Sequence, residues 1–225
     1  MDFERSFRYI LDDQEWYIKI GIGALLALSG IGLFAVLGWS MEIMRRVAAE
    51  EEDLLPDWTA IGDYFILGLK YSALGLVWMM PVLLFSICGS ILVGVGAGHF
   101  ADSADAAAFA SIFSICMFGL VIVNMLVMLF LAPPAMVLLA QGADYKSLFN
   151  PRTLLHFTRA NLGGYLIANI VGYLLTMILG AAGIIECIVG SYFGFAFGYA
   201  VWAYLNGAAH RDAMQNLTDS ELAAA

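Results

Sequence analysis

The sequence predicts an all-α, polytopic membrane protein: a bundle of four transmembrane helices, a glycine-broken first apolar segment, and an N-terminal amphipathic surface helix. Three observations predict it. Residues 72 to 98 hold no charged side chain, and residues 162 to 205 hold only Glu186. The second stretch, 44 residues, would run about 66 Å as helix at roughly 1.5 Å per residue, enough to cross a hydrocarbon core of about 30 Å twice. Hydrophobic residues make up 62% and charged residues 13% of the chain, against roughly 25% charged in a soluble domain. At 225 residues, one membrane domain, 1–225, accounts for the length.

Residues 1–17 form the surface helix. Phe3, Phe7, Ile10 and Leu11 fall on one face, and Trp16 and Tyr17 follow as headgroup-level aromatics. Residues 18–41 are apolar apart from Lys19, but Ser29-Gly30-Ile31-Gly32 interrupts them near the centre. This segment is a re-entrant hairpin or a fifth span. Residues 42–70 form an acidic cytoplasmic loop, in which Glu42, Arg45 and Arg46 pair at helical spacing before Leu55-Pro56-Asp57-Trp58 breaks the helix.

The spans are 71–98, kinked at Pro81; 109–131, stopping at Pro133-Pro134 with a short continuation from Ala135 to Ala140; 162–183; and 187–205. A tight turn at 184–186 joins the last two, and 206–225 is a frayed cytoplasmic tail. Lys and Arg lie in 42–70 and 142–161 but not in 99–108 or 184–186, which puts the first two inside. Arg5 and Arg8 before the first run and Lys19 at its start give the N-terminal flank three bases, and this count favours the re-entrant form.

The clearest packing signal is a four-residue recurrence of small side chains. Gly164, Ala168, Gly172, Thr176 and Gly180 line one helix and Gly190, Gly194 and Gly198 the next, as in a glycine zipper. Small faces let backbones approach, which matters in lipid because lipid gives helices no hydrophobic drive to associate. This reads as an intrachain antiparallel hairpin through Gly172 and Gly194. Asn124 and Asn169 lie at matching depth on successive spans and are expected to satisfy each other. Glu186 reads as an acid at a helix start rather than an intramembrane carboxylate.

No catalytic constellation is recognisable, so the sequence names no catalytic, cofactor-binding or metal-binding residue. Cys88, Cys116 and Cys187 are odd in number and lack metal spacing, while His99, His156 and His210 sit in separate polar segments. The net charge is −9 and the bases do not cluster, which argues against nucleic acid as a partner. The lipid bilayer is the expected partner, with another membrane protein or a second copy beside it. Leu55, Pro56, Asp57 and Trp58 are the candidate partner-docking loop.

Several blocks carry a family resemblance. Phe7-Arg8-Tyr9-Ile10, Asp13-Gln14-Glu15-Trp16 and Lys19-Ile20-Gly21-Ile22-Gly23-Ala24-Leu25-Leu26 are followed by Gly38-Trp39, Arg45-Arg46-Val47, Leu55-Pro56-Asp57-Trp58 and Phe65-Ile66-Leu67-Gly68-Leu69-Lys70. Over residues 7 to 70 their order and spacing resemble the prokaryotic "domain of unknown function 4013" membrane family. Gln14 replaces the family's usual proline, and Trp39 its tyrosine. The resemblance implies a multi-pass protein of a prokaryotic cytoplasmic (inner) membrane and carries no functional residues. The resulting expectation is a non-enzymatic scaffold or assembly component; the alternative is a small channel or transporter for a small solute.

Overall fold

Described residues 3–99, 104–183 and 187–224 of the computed structural model are helices joined by turns and short loops, with no strand among them. In order they are α1 (Phe3–Leu11), α2 (Trp16–Leu28), α3 (Leu33–Ala48), a 3-10 turn (Trp58–Ala60), α4 (Ile61–His99), α5 (Ala104–Ala140), α6 (Tyr145–Leu148), α7 (Pro151–Ala160), α8 (Leu162–Ala182) and α9 (Cys187–Ala224). Among the described residues, three helices are long and apolar enough to cross a membrane: Trp58–Val95, Ala107–Ala140 and Leu162–Ala182. They mark the chain as a membrane protein.

The chain divides into two compact units. The first is Met1–Ser72 with Leu129–Ala225; the second is Ala73–Met128. In the first unit α9 is central and packs against α8 most extensively, then against α3, α2, α7 and α1. Its small residues make that position usable, because Ala200, Ala203, Ala208, Ala209 and Ala213 let neighbours close in from several sides. The tail expected to fray is therefore part of α9, and Asn206 and His210 are fully buried. The apolar positions 205, 208, 209 and 213 continue the helical stripe that the polar residues beside them disguise.

The first apolar run folds back on itself. Ser29 ends α2, its Oγ accepts the Gly32 N–H at 3.0 Å, and Gly30 takes the left-handed backbone (φ +75°) that a side chain disfavours. Lys19 near the start of α2 and Trp39 near the middle of α3 both reach Trp58, so the two flanks return to the same end. The helix α1 docks on α9 through the Tyr9 hydroxyl, which donates to Ala200 O at 2.8 Å, and a Tyr9–Tyr204 ring stack.

At Pro133-Pro134 the helix does not stop; α5 runs through both residues to Ala140. Each proline lacks the N–H that would bond the carbonyl four residues earlier. Those carbonyls, Leu129 O and Phe130 O, instead accept from Asn169 Nδ2 at 3.0 Å and Thr158 Oγ1 at 2.9 Å. Tertiary donors complete the helix where the local ones are missing.

The second unit is an antiparallel pair formed by the later part of α4 and the earlier part of α5. Phe113 stacks on Phe85 at 5.4 Å, and a Cβ on Gly89 would collide with the Phe113 ring. Its apolar side chains face outward: Leu76, Ile87, Ile91, Ile112, Ile115 and Phe118 are all exposed. The helix α4 is continuous through Pro81.

Candidate functional site

The base of the α2–α3 hairpin is the most elaborate polar site in the first unit. Lys19 is 8% exposed, and its ammonium meets three acceptors: Asp13 Oδ2 at 2.7 Å, Leu55 O at 2.9 Å and Asp57 Oδ1 at 3.0 Å. An ammonium has three donors, so its capacity is used in full. A buried charge persists only when paired and hydrogen-bonded in this way.

The same loop supplies one indole acceptor and one indole donor. The Trp39 Nε1–H donates to Pro56 O at 2.9 Å, and the Trp58 Nε1–H donates to Lys19 O at 2.7 Å. The two rings stack with centroids 5.2 Å apart and planes 13° from parallel, and Tyr64 meets Trp58 edge-on. The loop expected to dock a partner is thus turned inward. Leu55 and Pro56 are buried, Trp58 is half-buried, and only Asp57 keeps an exposed side chain. In physical terms Leu55-Pro56-Asp57-Trp58 is a latch across the open end of the hairpin.

Beside the latch lies the ion-pair set expected around residue 42. Glu42 receives both Arg45, in a two-pronged contact at 2.8 Å, and Arg46 at 2.9 Å; these reach onward to Glu51 and Asp53. Burial pushes the Glu42 carboxyl up, but the hydrogen bonds from Arg45 and Arg46 outweigh it and hold the group below its ordinary value.

The small-residue faces of α8 and α9 meet in an antiparallel register. A Cβ on Gly194 would lie 2.2 Å from Leu179 O and 3.1 Å from Gly180 N; one on Gly198 would strike Thr176; one on Gly183 would strike Gly190 O. Gly180 faces the Phe195 ring, and Gly172 faces Trp202 rather than Gly194. The hairpin therefore passes through Gly180 and Gly194, and the Gly172 position makes room for an indole. Ala168 is buried, while Gly164 lies against the amide of Asn161, which caps α8 and donates to Ala209 O at 3.0 Å. Glu186 lies outside the described residues.

The amides expected to pair find other partners. Asn169 Nδ2 donates to Leu129 O and to Tyr165 O, both at 3.0 Å, and its Oδ1 accepts the Trp202 Nε1–H at 3.0 Å. Asn124 Nδ2 donates to Trp78 O at 3.1 Å, one turn before Pro81. The bonds to Leu129 O and Trp78 O each run from a side chain to a carbonyl near a proline in a helix, a geometry that no spacing of the asparagines alone announces.

Sequence reasoning missed His210. Its Nδ1 lies 2.7 Å from the Tyr165 hydroxyl and its ring stacks on Phe157 at 5.1 Å, so one α9 residue ties α7 and α8 together. Burial pushes the imidazole down to about 4. His210 Nε2 and Asn206 Oδ1, one turn apart, are buried without a hydrogen-bond partner. Among the described residues no group of three or more His, Cys, Asp or Glu side chains is placed to hold a metal, and Cys88 and Cys116 are exposed free thiols.

A match to the family described as "Protein of unknown function (DUF4013)" covers residues 22–190. The chain belongs to this family. The DUF4013 match extends well beyond residue 70, taking in Trp39, the latch residues 55–58, Pro133-Pro134, Thr158 and Asn169. Lys19, Trp202 and His210 fall outside the DUF4013 segment, though each bonds to a residue inside it or packs against one. Comparison with curated proteins gives no match, and neither does comparison with solved structures.

Proposed function

We propose that this DUF4013 protein is a non-enzymatic scaffold or assembly component of a prokaryotic cytoplasmic-membrane complex. The observation that carries this reading is the use of its interior polar groups. Asn169 uses both amide hydrogens and its oxygen to hold three helices, and Lys19 uses all three donors to hold the hairpin base. Solute sites at membrane depth need groups free to replace a solute's hydration, as in the broken helices of transporters. Here Asn169 and Lys19 serve the fold, and the second unit presents apolar side chains outward as the surface for lipid and neighbours.

In this arrangement α1 lies at the cytoplasmic surface, residues 18–41 re-enter without crossing, and the latch seals the re-entrant hairpin. The spans are 71–98, 109–131, 162–183 and 187–205, with 42–70 and 142–161 inside. The α8–α9 contact is a glycine zipper within one chain. Affinity purification from native membranes in mild detergent, followed by mass spectrometry, tests the proposal. A membrane protein recovered in fixed stoichiometry supports it. A chain recovered alone that conducts a small solute across proteoliposomes overturns it in favour of a channel or transporter.

A further inference from the structure

Behind the turn of the α2–α3 hairpin is a cavity of about 320 Å³, walled by Ala27, Val36, Leu37, Phe195, Ala196 and Tyr199. Its lining is almost wholly apolar, and Leu33 and Phe195 at its rim are 53% and 37% exposed, so it opens outward rather than into the core. Two charged groups fix its depth. Ala27 is eight residues beyond Lys19 and Val36 six residues before Glu42, about 12 Å and 9 Å along their helices at roughly 1.5 Å per residue. Since Lys19 and Glu42 lie at the end of the hairpin that faces water, the cavity sits inside the hydrocarbon. Water gains nothing in an apolar cavity, whereas an apolar molecule of fitting size does.

We propose that this cavity holds one acyl chain of a bilayer phospholipid. The proposal rests on the membrane reading above. Arg45 and Arg46, further along the helix that carries Val36 and Leu37, are already paired with Glu42, Glu51 and Asp53, so they offer nothing to a headgroup. Recognition is by the chain alone.

The test uses the full-length protein in phosphatidylcholine vesicles doped with a phospholipid carrying a diazirine on its acyl chain, with adducts mapped by mass spectrometry after irradiation. Adducts on residues 33–37 and 192–199 should exceed, several-fold per residue, those on the outward face from Ile112 to Ile122. A phosphatidylglycerol probe should give the same pattern. Ala27→Leu, which fills the cavity, and Leu33→Trp, which plugs its rim, should each cut the cavity adducts several-fold while the 112–122 adducts stay constant. The rim position tolerates change, so Leu33→Trp serves if the inner variant misfolds. Cavity adducts no more abundant than those at 112–122, or undiminished in a folded plugged variant, overturn this proposal alone. Adducts on neither region overturn the membrane reading with it.

Discussion

Asn169 uses its whole amide on three partners, and replacement by Leu would strand two of them, Leu129 O and the Trp202 indole, while Tyr165 O keeps its bond within α8. Side-chain hydrogen bonds inside membranes average about 0.6 kcal/mol and reach about 1.7. We expect Asn169→Leu to cost about 1–2 kcal/mol in detergent unfolding and Thr158→Val less, since Thr158 also bonds Leu154 O in its own helix. Equal stabilities for wild type and Asn169→Leu would show that the Pro133 turn needs no outside donor. His210 gives a pH signature. Its folded value of about 4 lies below the ordinary 6.5, so between those values the unfolded chain binds more protons. Stability should fall as pH drops from 6.5 towards 4, by up to about 3 kcal/mol at 1.36 kcal/mol per unit. His210→Phe keeps an aromatic ring beside Phe157, and the wild-type advantage over it should shrink across that window. A constant gap would place the proton elsewhere.

The helices test whether close approach or mere glycine content holds α8 to α9. Gly194→Leu and Gly198→Leu drive side chains into Leu179 O and Thr176 and should cost about 1–3 kcal/mol or more, as overpacking does. Gly119→Ala in α5 meets nothing within 4 Å and should be neutral or stabilising by up to about 1 kcal/mol, since Ala is the better helix former. Similar losses at all three sites in a melting series would argue against a specific interface. The four-residue glycine recurrence was legible because helical geometry maps spacing directly onto a face. Its register was not, because Trp202, 30 residues from Gly172, decides which glycine faces what. The passage of α5 through Pro133-Pro134 was illegible for the same reason. Its replacement donors come from Thr158 and Asn169, 28 and 40 residues away in sequence. Leu55-Pro56-Asp57-Trp58 stood out as a helix break, but its inward role depends on Lys19 and Trp39, which no local rule links to it. Burial of His210 was hidden because its neighbours Arg211 and Asp212 read as a solvated tail.

At the scale of the whole molecule, a first unit built around α9 is closed by its own hydrogen bonds, and a second unit exposes apolar helix faces. Membrane insertion reconciles the two, since lipid satisfies the outward apolar surface while the helical backbone is satisfied internally. The hairpin of α2 and α3 is the part on which the account turns. If it re-enters, its flanks share one side of the bilayer, and the Lys19 latch is the device that holds them there. In a chain with Cys88, Cys116 and Cys187 replaced by Ala, single cysteines at the exposed positions Arg8 and Glu52 can be probed in intact cells with a membrane-impermeant maleimide. The account predicts that both stay unlabelled until the cells are permeabilised and then react alike; labelling of Arg8→Cys from outside with Glu52→Cys still protected would contradict it.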